Sequence, residues 1–324
     1  MDRCAFVFPG QGSQSVGMGK ALVEASPAAA AVMAEADEAL GESISRMAFD
    51  GPAEQLDLTV NSQPALVAVS IAFLAALRER WAEAGIAAPE PAYAAGHSMG
   101  QYSAMVAAGV ITLADAVRLV RERGRQMQAS GQGRSGAMAA IIGLDDARIP
   151  ELLALGVPHG SVTVANRNSP GQIVISGDRA AVEAAVAGVK ELGARRGIVL
   201  PVSVAAHSSL MAEAAKGMAE VLAPIQFLAP KFPLLANSDA RPITTADGAR
   251  AELIEHLTRG VDWVAAVQRM TADGVTAFVE VGPGKVLTGL IKRIAPEANA
   301  LAVDEATAPG GIAVPFTDGT AVTN

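Results

Sequence analysis

The stretch Tyr93-Ala94-Ala95-Gly96-His97-Ser98-Met99-Gly100 decides the reading of this chain. Tyr93 to Ala95 suit a short buried strand, the glycines at 96 and 100 bound a sharp turn, and the residues up to Gly109 read as a helix. Strand, Gly-x-Ser-x-Gly turn and helix form the context of a nucleophile elbow, which strains the serine and points its hydroxyl outward. Backbone N–H groups there, chiefly that of Met99, face a developing oxyanion with the helix dipole behind them. An ordinary strand-to-helix turn is the alternative on this feature alone.

Strand and helix alternate on both sides of the elbow. A strand at 5–8 ends in Pro9-Gly10-Gln11-Gly12; a helix capped by Ser26, with Pro27 at its first position, runs to about Leu40. Another is expected from Ser62 as cap, with Pro64 just inside, to near Gly85. Between 133 and 202 the order becomes strand (137–143), helix (147–155), strand (161–165), strand (172–176), helix (180–192), strand (197–202), which is the split βαβ of a ferredoxin-like unit. Alternation then resumes with a strand at 232–236, helices near 251–257 and 263–272, a strand at 276–281 and a helix at 286–294. The expected fold is therefore α/β, with residues 1–132 and 203–304 forming a large subdomain and 133–202 a ferredoxin-like insertion. Residues 305–324, a Gly, Pro, Thr and Ala mixture without periodicity, read as a disordered tail.

With 324 residues, 51% apolar and 18% charged, the chain can bury one large core or two unequal ones. Its longest apolar stretch, 64–77, is too short to span a bilayer and runs into Arg78, Glu79 and Arg80, so it reads as a buried helix. Asp2 and Arg3 precede a strand rather than a secretion leader, and a cytoplasmic protein is expected. Cys4 is the sole cysteine, which excludes an internal disulfide and a cysteine-based metal cluster. A formal charge of −8 argues against nucleic-acid binding.

A serine hydroxyl needs a base within hydrogen-bonding reach. His97 should point away from Ser98 on so tight a turn, His159 sits in a solvated Pro-His-Gly loop, and His256 lies near a helix end. His207 follows the apolar run 200–206, at the return from the insertion to the main fold, where strand-end loops collect catalytic groups. A satisfied structural histidine is the competing interpretation. On a helix starting at Thr112, Leu113, Ala116, Val117, Leu119, Val120, Gly124 and Met127 share one arc, and Arg118, Arg121, Glu122 and Arg125 fall on the watery side. Arg123 projects inside the apolar arc, where a guanidinium is costly unless it meets an anion, either a fixed carboxylate or a substrate's.

Together these segments resemble the malonyl-CoA:acyl-carrier-protein transacylase family. The resemblance rests on Phe8-Pro9-Gly10-Gln11-Gly12-Ser13-Gln14, on residues 96–104, on Asn166-Arg167-Asn168-Ser169-Pro170-Gly171-Gln172, on the segment around His207, and on Glu280-Val281-Gly282-Pro283-Gly284-Lys285. It implies an α/β-hydrolase-like large subdomain with an inserted ferredoxin-like one. It also implies Ser98 as acylated nucleophile, His207 as base, the Gln11 N–H as second oxyanion donor beside Met99, Arg123 as the grip on the malonyl carboxylate, and Asn166 and Asn168 in the cleft. Malonyl-CoA and an acyl-carrier protein are the implied partners, with no metal or redox cofactor. Where the family's bacterial members orient the histidine by a glutamine main-chain carbonyl, this chain has His256. Lys285 and Lys292, with Arg293, share a face of one helix, which suggests a docking patch for the acidic carrier. A serine hydrolase and the malonyl loader of malonate decarboxylase are the rival functions.

Overall fold

In a computed structural model, residues 3–131, 135–202 and 204–303 are described. The tail expected at 305–324 lies outside them, as do residues 132–134 and 203 at the expected limits of the insertion. Eleven strands occur among the described residues: β1 Cys4–Phe8, β2 Tyr93–Gly96, β3 Gly136–Ile142, β4 Val162–Ser169, β5 Gln172–Asp178, β6 Arg196–Val199, β7 Leu234–Leu235, β8 Pro242–Ile243, β9 Val261–Asp262, β10 Ala277–Glu280 and β11 Asn299–Ala302.

They form two sheets. The larger runs β11-β10-β1-β2-β7-β8 and is parallel except for β8; the smaller runs β6-β3-β5-β4-β9 and is antiparallel except for β9. Parallel strands need covering on both faces, and the alternation of β1 supplies it. Phe6 and Phe8 pack on the side of the Thr59–Glu83 helix, with Phe6 stacked on Trp81 at 6.4 Å, whereas Ala5 and Val7 face Trp263, Val267 and Met270. The small sheet has its own core of Ala137, Ile141, Leu152, Ile175, Val182 and Val189.

The structure moves several expected boundaries. The helix expected from Ser62 starts at Thr59, so Ser62 lies within its first turn and donates its hydroxyl to the Thr59 carbonyl at 3.5 Å instead of capping. At 25 residues it is long and apolar enough to cross a bilayer, but its most apolar stretch is 89% buried in the protein. Its first turn lies against Gly124 of the Leu113–Ser130 helix, where a Cβ would sit 2.9 Å from the Val60 Cα. Arg121, expected on the watery side of that helix, is buried: it donates to Asn61 Oδ1 at 2.8 Å and pairs with Glu42. A wheel drawn for one helix takes no account of partners brought by others. Strand β11 and the Ala212–Leu222 helix were not expected at all.

The Gly282-Pro283-Gly284-Lys285 turn leads into the Val286–Ile294 helix, whose Leu287 and Thr288 N–H groups donate to the buried Glu280 carboxylate at 3.0 and 2.7 Å. The helix start is thus satisfied from within the fold.

Candidate active site

The elbow forms where β2 ends beside β1. A Cβ on Gly96 would lie 2.0 Å from the Gly100 carbonyl carbon, so the turn closes only with glycine there. Ser98 takes φ 52° and His207 φ 59°, both left-handed, and Ala240 is the only other non-glycine residue with positive φ among the described residues. Such conformations cost about 1–3 kcal/mol each and persist where surrounding structure dictates them. Around Ser98 two amides do so. Gln101 accepts from Gly96 N–H at 3.0 Å and donates to the Leu235 carbonyl at 2.9 Å, while Asn237 Oδ1 accepts from Ser98 N–H at 2.9 Å.

Ser98 Oγ lies 2.8 Å from His207 Nε2. His207 Nδ1 faces two main-chain carbonyls, His256 at 2.6 Å and Arg259 at 2.9 Å. Two acceptors at Nδ1 require the proton there, which leaves Nε2 to accept from the serine hydroxyl. Burial, then the nearby Arg123 cation, push His207 down to about 4. The imidazole is therefore neutral and available as a base throughout the neutral range.

Arg123 is 1% exposed and donates through Nη2 to Ser98 Oγ at 3.3 Å. It makes no ion pair with a carboxylate among the described residues, and its Nε–H has no acceptor there. The sequence left open whether a fixed carboxylate or a substrate would answer this charge; no fixed one is present among the described residues.

Serine, histidine and arginine open on a cavity of about 540 Å³, also lined by Gln11, Met99, Asn166 and Asn168. Met127, Met138, Val174, Val202, Val204 and Ala206 supply its apolar wall. The Gln11 loop is tied to the long helix: Gln11 Nε2 donates to Thr59 Oγ1 at 3.3 Å and Gln14 Nε2 to Asp57 Oδ1 at 3.0 Å. Neither the Gln11 nor the Met99 N–H is engaged by a protein acceptor among the described residues. Asn168 Oδ1 lies 2.9 Å from His97 Nε2, so His97 faces the small sheet and not Ser98, as the tight turn requires. His159 is exposed.

His256 contributes its carbonyl, and its ring is enclosed. The side chain is 1% exposed, edge-on to Tyr102 and His207, with both ring nitrogens unpartnered among the described residues. Burial, with the Arg123 cation adding to it, holds His256 well below the ordinary histidine range and therefore neutral. Lys285, Lys292 and Arg293 are exposed, but Lys285 stands at the cap of its helix instead of within it, and Arg293 donates to Gln172 Oε1 at 2.7 Å.

Sequence reasoning missed Asn237, Glu252 and the Arg259 carbonyl. Two signals were available. Asn237 follows a buried strand of the parallel sheet at its carboxyl end, where sites of open α/β sheets collect. Glu252 stands between Ala249 and Leu253 on a buried arc of the Ala246–Glu255 helix, the same anomaly that marked Arg123.

Burial raises the Glu252 carboxyl from 4.5 to about 7, against the pull of the Asn237 N–H and Arg241. The native state then keeps a proton that the unfolded chain releases, so the associated stability is full below pH 4.5 and is lost as the pH rises to about 7. Glu252→Gln does not titrate. The Tm of wild type relative to this variant should fall between pH 5 and about 7.5; parallel curves would refute the linkage.

The acyl transferase domain model matches residues 5–308 of the chain. The malonyl CoA-acyl carrier protein transacylase of Escherichia coli K12 is 47% identical over 308 residues, covering 95% of this chain and 98% of that protein. A crystal structure of an acyl carrier protein S-malonyltransferase from Vibrio cholerae superposes with a TM-score of 0.88 at 43% identity, over 95% of this chain and 98% of that one. A type II polyketide synthase acyl-carrier protein in complex with its malonyl-transacylase gives a TM-score of 0.88 at 42% identity, over 94% and 98%. With a serine–histidine pair at the end of a parallel strand and matches spanning almost its whole length, the chain belongs to the acyl transferase domain family.

Proposed function

We propose that the protein is an acyl-carrier-protein S-malonyltransferase, moving malonyl from malonyl-CoA to the phosphopantetheine thiol of a carrier by way of an acyl-serine, in fatty-acid or polyketide synthesis. The observation that carries the malonyl assignment is the buried guanidinium of Arg123, without a carboxylate partner among the described residues and 3.3 Å from the nucleophile. A malonyl carboxylate bound there presents its thioester carbonyl to Ser98.

His207 Nε2 takes the Ser98 proton as Oγ attacks, and the tetrahedral oxyanion is held by the Gln11 and Met99 N–H groups. Collapse breaks the C–S bond, and coenzyme A leaves with the proton from His207. The carrier thiol then gives its proton to His207 and attacks the malonyl-serine ester, and Ser98 is released protonated. No step needs a metal or redox cofactor. Asn166 and Asn168 shape the cleft on the side of the small sheet.

The finer architecture supports the same reading. In the small sheet the order β6-β3-β5-β4, with helices after β3 and β5, fits a ferredoxin-like unit at 133–202, inserted into an α/β-hydrolase-like subdomain of residues 1–132 and 203–304. A cytoplasmic location, away from membrane and nucleic acid, suits soluble thioester substrates and a charge of −8.

The test is incubation with radiolabelled malonyl-CoA: label should reside on Ser98 and chase onto added holo-carrier. Rapid release of free malonate without a carrier would favour a hydrolase, and transfer only to the carrier subunit of malonate decarboxylase would favour that loader. Carrier docking is assigned to Lys285, Lys292 and Arg293. Reversing both lysines to glutamate should raise the KM for the carrier and leave that for malonyl-CoA nearly unchanged; equal effects on both would remove the patch.

A further inference from the structure

We propose that Asn237 and Glu252 are positioning residues for acyl transfer, Glu252 fixing the Asn237 main chain so that the Asn237 side chain holds Ser98 in its left-handed turn. The inference rests on the acyl-serine reading above.

The Ser98 N–H emerges between the end of β2 and the start of the Gly100–Ala107 helix, and Asn237 Oδ1 receives it at 2.9 Å. Asn237 is itself fixed at both main-chain atoms. Its N–H donates to Glu252 Oε1 at 2.7 Å, and its carbonyl accepts from Asp262 N–H at 2.7 Å. Both side chains are buried, and neither lines the 540 Å³ cavity, so neither reaches a substrate.

Glu252 belongs to the Ala246–Glu255 helix, and the residue that ends this helix, His256, presents its carbonyl to His207 Nδ1 at 2.6 Å. One helix therefore braces both members of the pair. It holds the nucleophile through Glu252 and Asn237, and the base directly through a carbonyl one turn further on. The 2.8 Å approach of Ser98 Oγ to His207 Nε2 is the joint result of the two arms. A carboxyl among Ala249 and Leu253 is costly to bury, and the Asn237 N–H is what it receives in return.

The experiment is rapid-quench labelling by radiolabelled malonyl-CoA at saturating and sub-saturating concentrations. Asn237→Leu should acylate about 10²-fold more slowly, because small misplacements of a reacting atom cost that much, while half-saturation by malonyl-CoA is unchanged. Glu252→Leu leaves Asn237 in place but unanchored and should lose about tenfold, as supporting partners of a site commonly do. Glu252→Gln keeps an oxygen for the Asn237 N–H and should stay near wild type. The Asn237→Leu/Glu252→Leu pair should be no slower than Asn237→Leu alone, since both cut one arm.

A folded Asn237→Leu that labels at the wild-type rate would overturn the inference, as would a loss confined to half-saturation or a Glu252→Gln as slow as Glu252→Leu. If Asn237→Leu does not fold, the contrast between the two Glu252 variants decides. Absence of Ser98-dependent label in wild type would instead overturn the acyl-serine reading, and this inference with it.

Discussion

Ser98→Ala should take no covalent label from malonyl-CoA, and His207→Ala should acylate about 10²–10⁴-fold more slowly than wild type, the span expected for loss of a general base. The two effects should differ in kind because, in the proposed mechanism, the bond to the acyl group is made by one atom alone. Without Oγ there would be nothing to acylate; without the imidazole, the hydroxyl would still be aimed by the turn toward the proposed oxyanion donors. The pH dependence offers a second reading of the base. With His207 lowered to about 4 by burial and by Arg123, the wild-type acylation rate should fall on the acid side only near pH 4. Retention of label by Ser98→Ala at the wild-type rate would displace the nucleophile to another residue. An acid limb near pH 6.5 would mean that burial and Arg123 do not depress His207 in the working enzyme.

Arg123→Ala should cut kcat/KM for malonyl-CoA by about 10²–10⁴-fold and collapse the preference over acetyl-CoA. The magnitude comes from the about 3–5 kcal/mol attached to breaking a buried ion pair, at about 1.4 kcal/mol per decade. In wild type an acetyl group would leave the guanidinium buried and unanswered, whereas malonyl would supply the missing carboxylate. Methylmalonyl should fall between them, since an added methyl in an apolar pocket is discriminated by only about 1–3 kcal/mol. The wall offers Met99, Met127 and Met138, which can yield, and Ala206, which leaves room. Removing Arg123 also removes one of the three influences that depress His207, so the acid limb should move to higher pH in the variant. Measuring kcat/KM for the three thioesters with both proteins checks the assignment. A wild type indifferent to the carboxylate, or a variant with its preference intact, would sink it.

What could be read in advance followed from local chemistry. The elbow was legible because its glycines are obligatory where backbone meets backbone, and Arg123 was legible because one helix displayed a charge in an apolar arc. Arg121 was misplaced because its partners, Glu42 and Asn61, arrive from other segments. Strand β11 escaped notice because a four-residue edge strand with only Ala300 fully buried has too little alternation to register. Asn237 and Glu252 lie 139 and 154 residues beyond Ser98; each showed a local signal, but their connection to Ser98 runs through two hydrogen bonds from main-chain N–H groups to side chains, which no spacing reveals. The ring of His256 places a titratable group beside the site, and burial keeps it neutral.

The left-handed backbone at Ser98 and His207 bears on how this enzyme can be improved in the laboratory. Glycine occupies that conformation without a steric penalty, so at both positions the residue that best suits the backbone would remove the proposed nucleophile or base. A library ranked by heat resistance alone will therefore carry a bias toward inert proteins at the two sites that matter most. Selection for durability has to be tied to turnover from its first round.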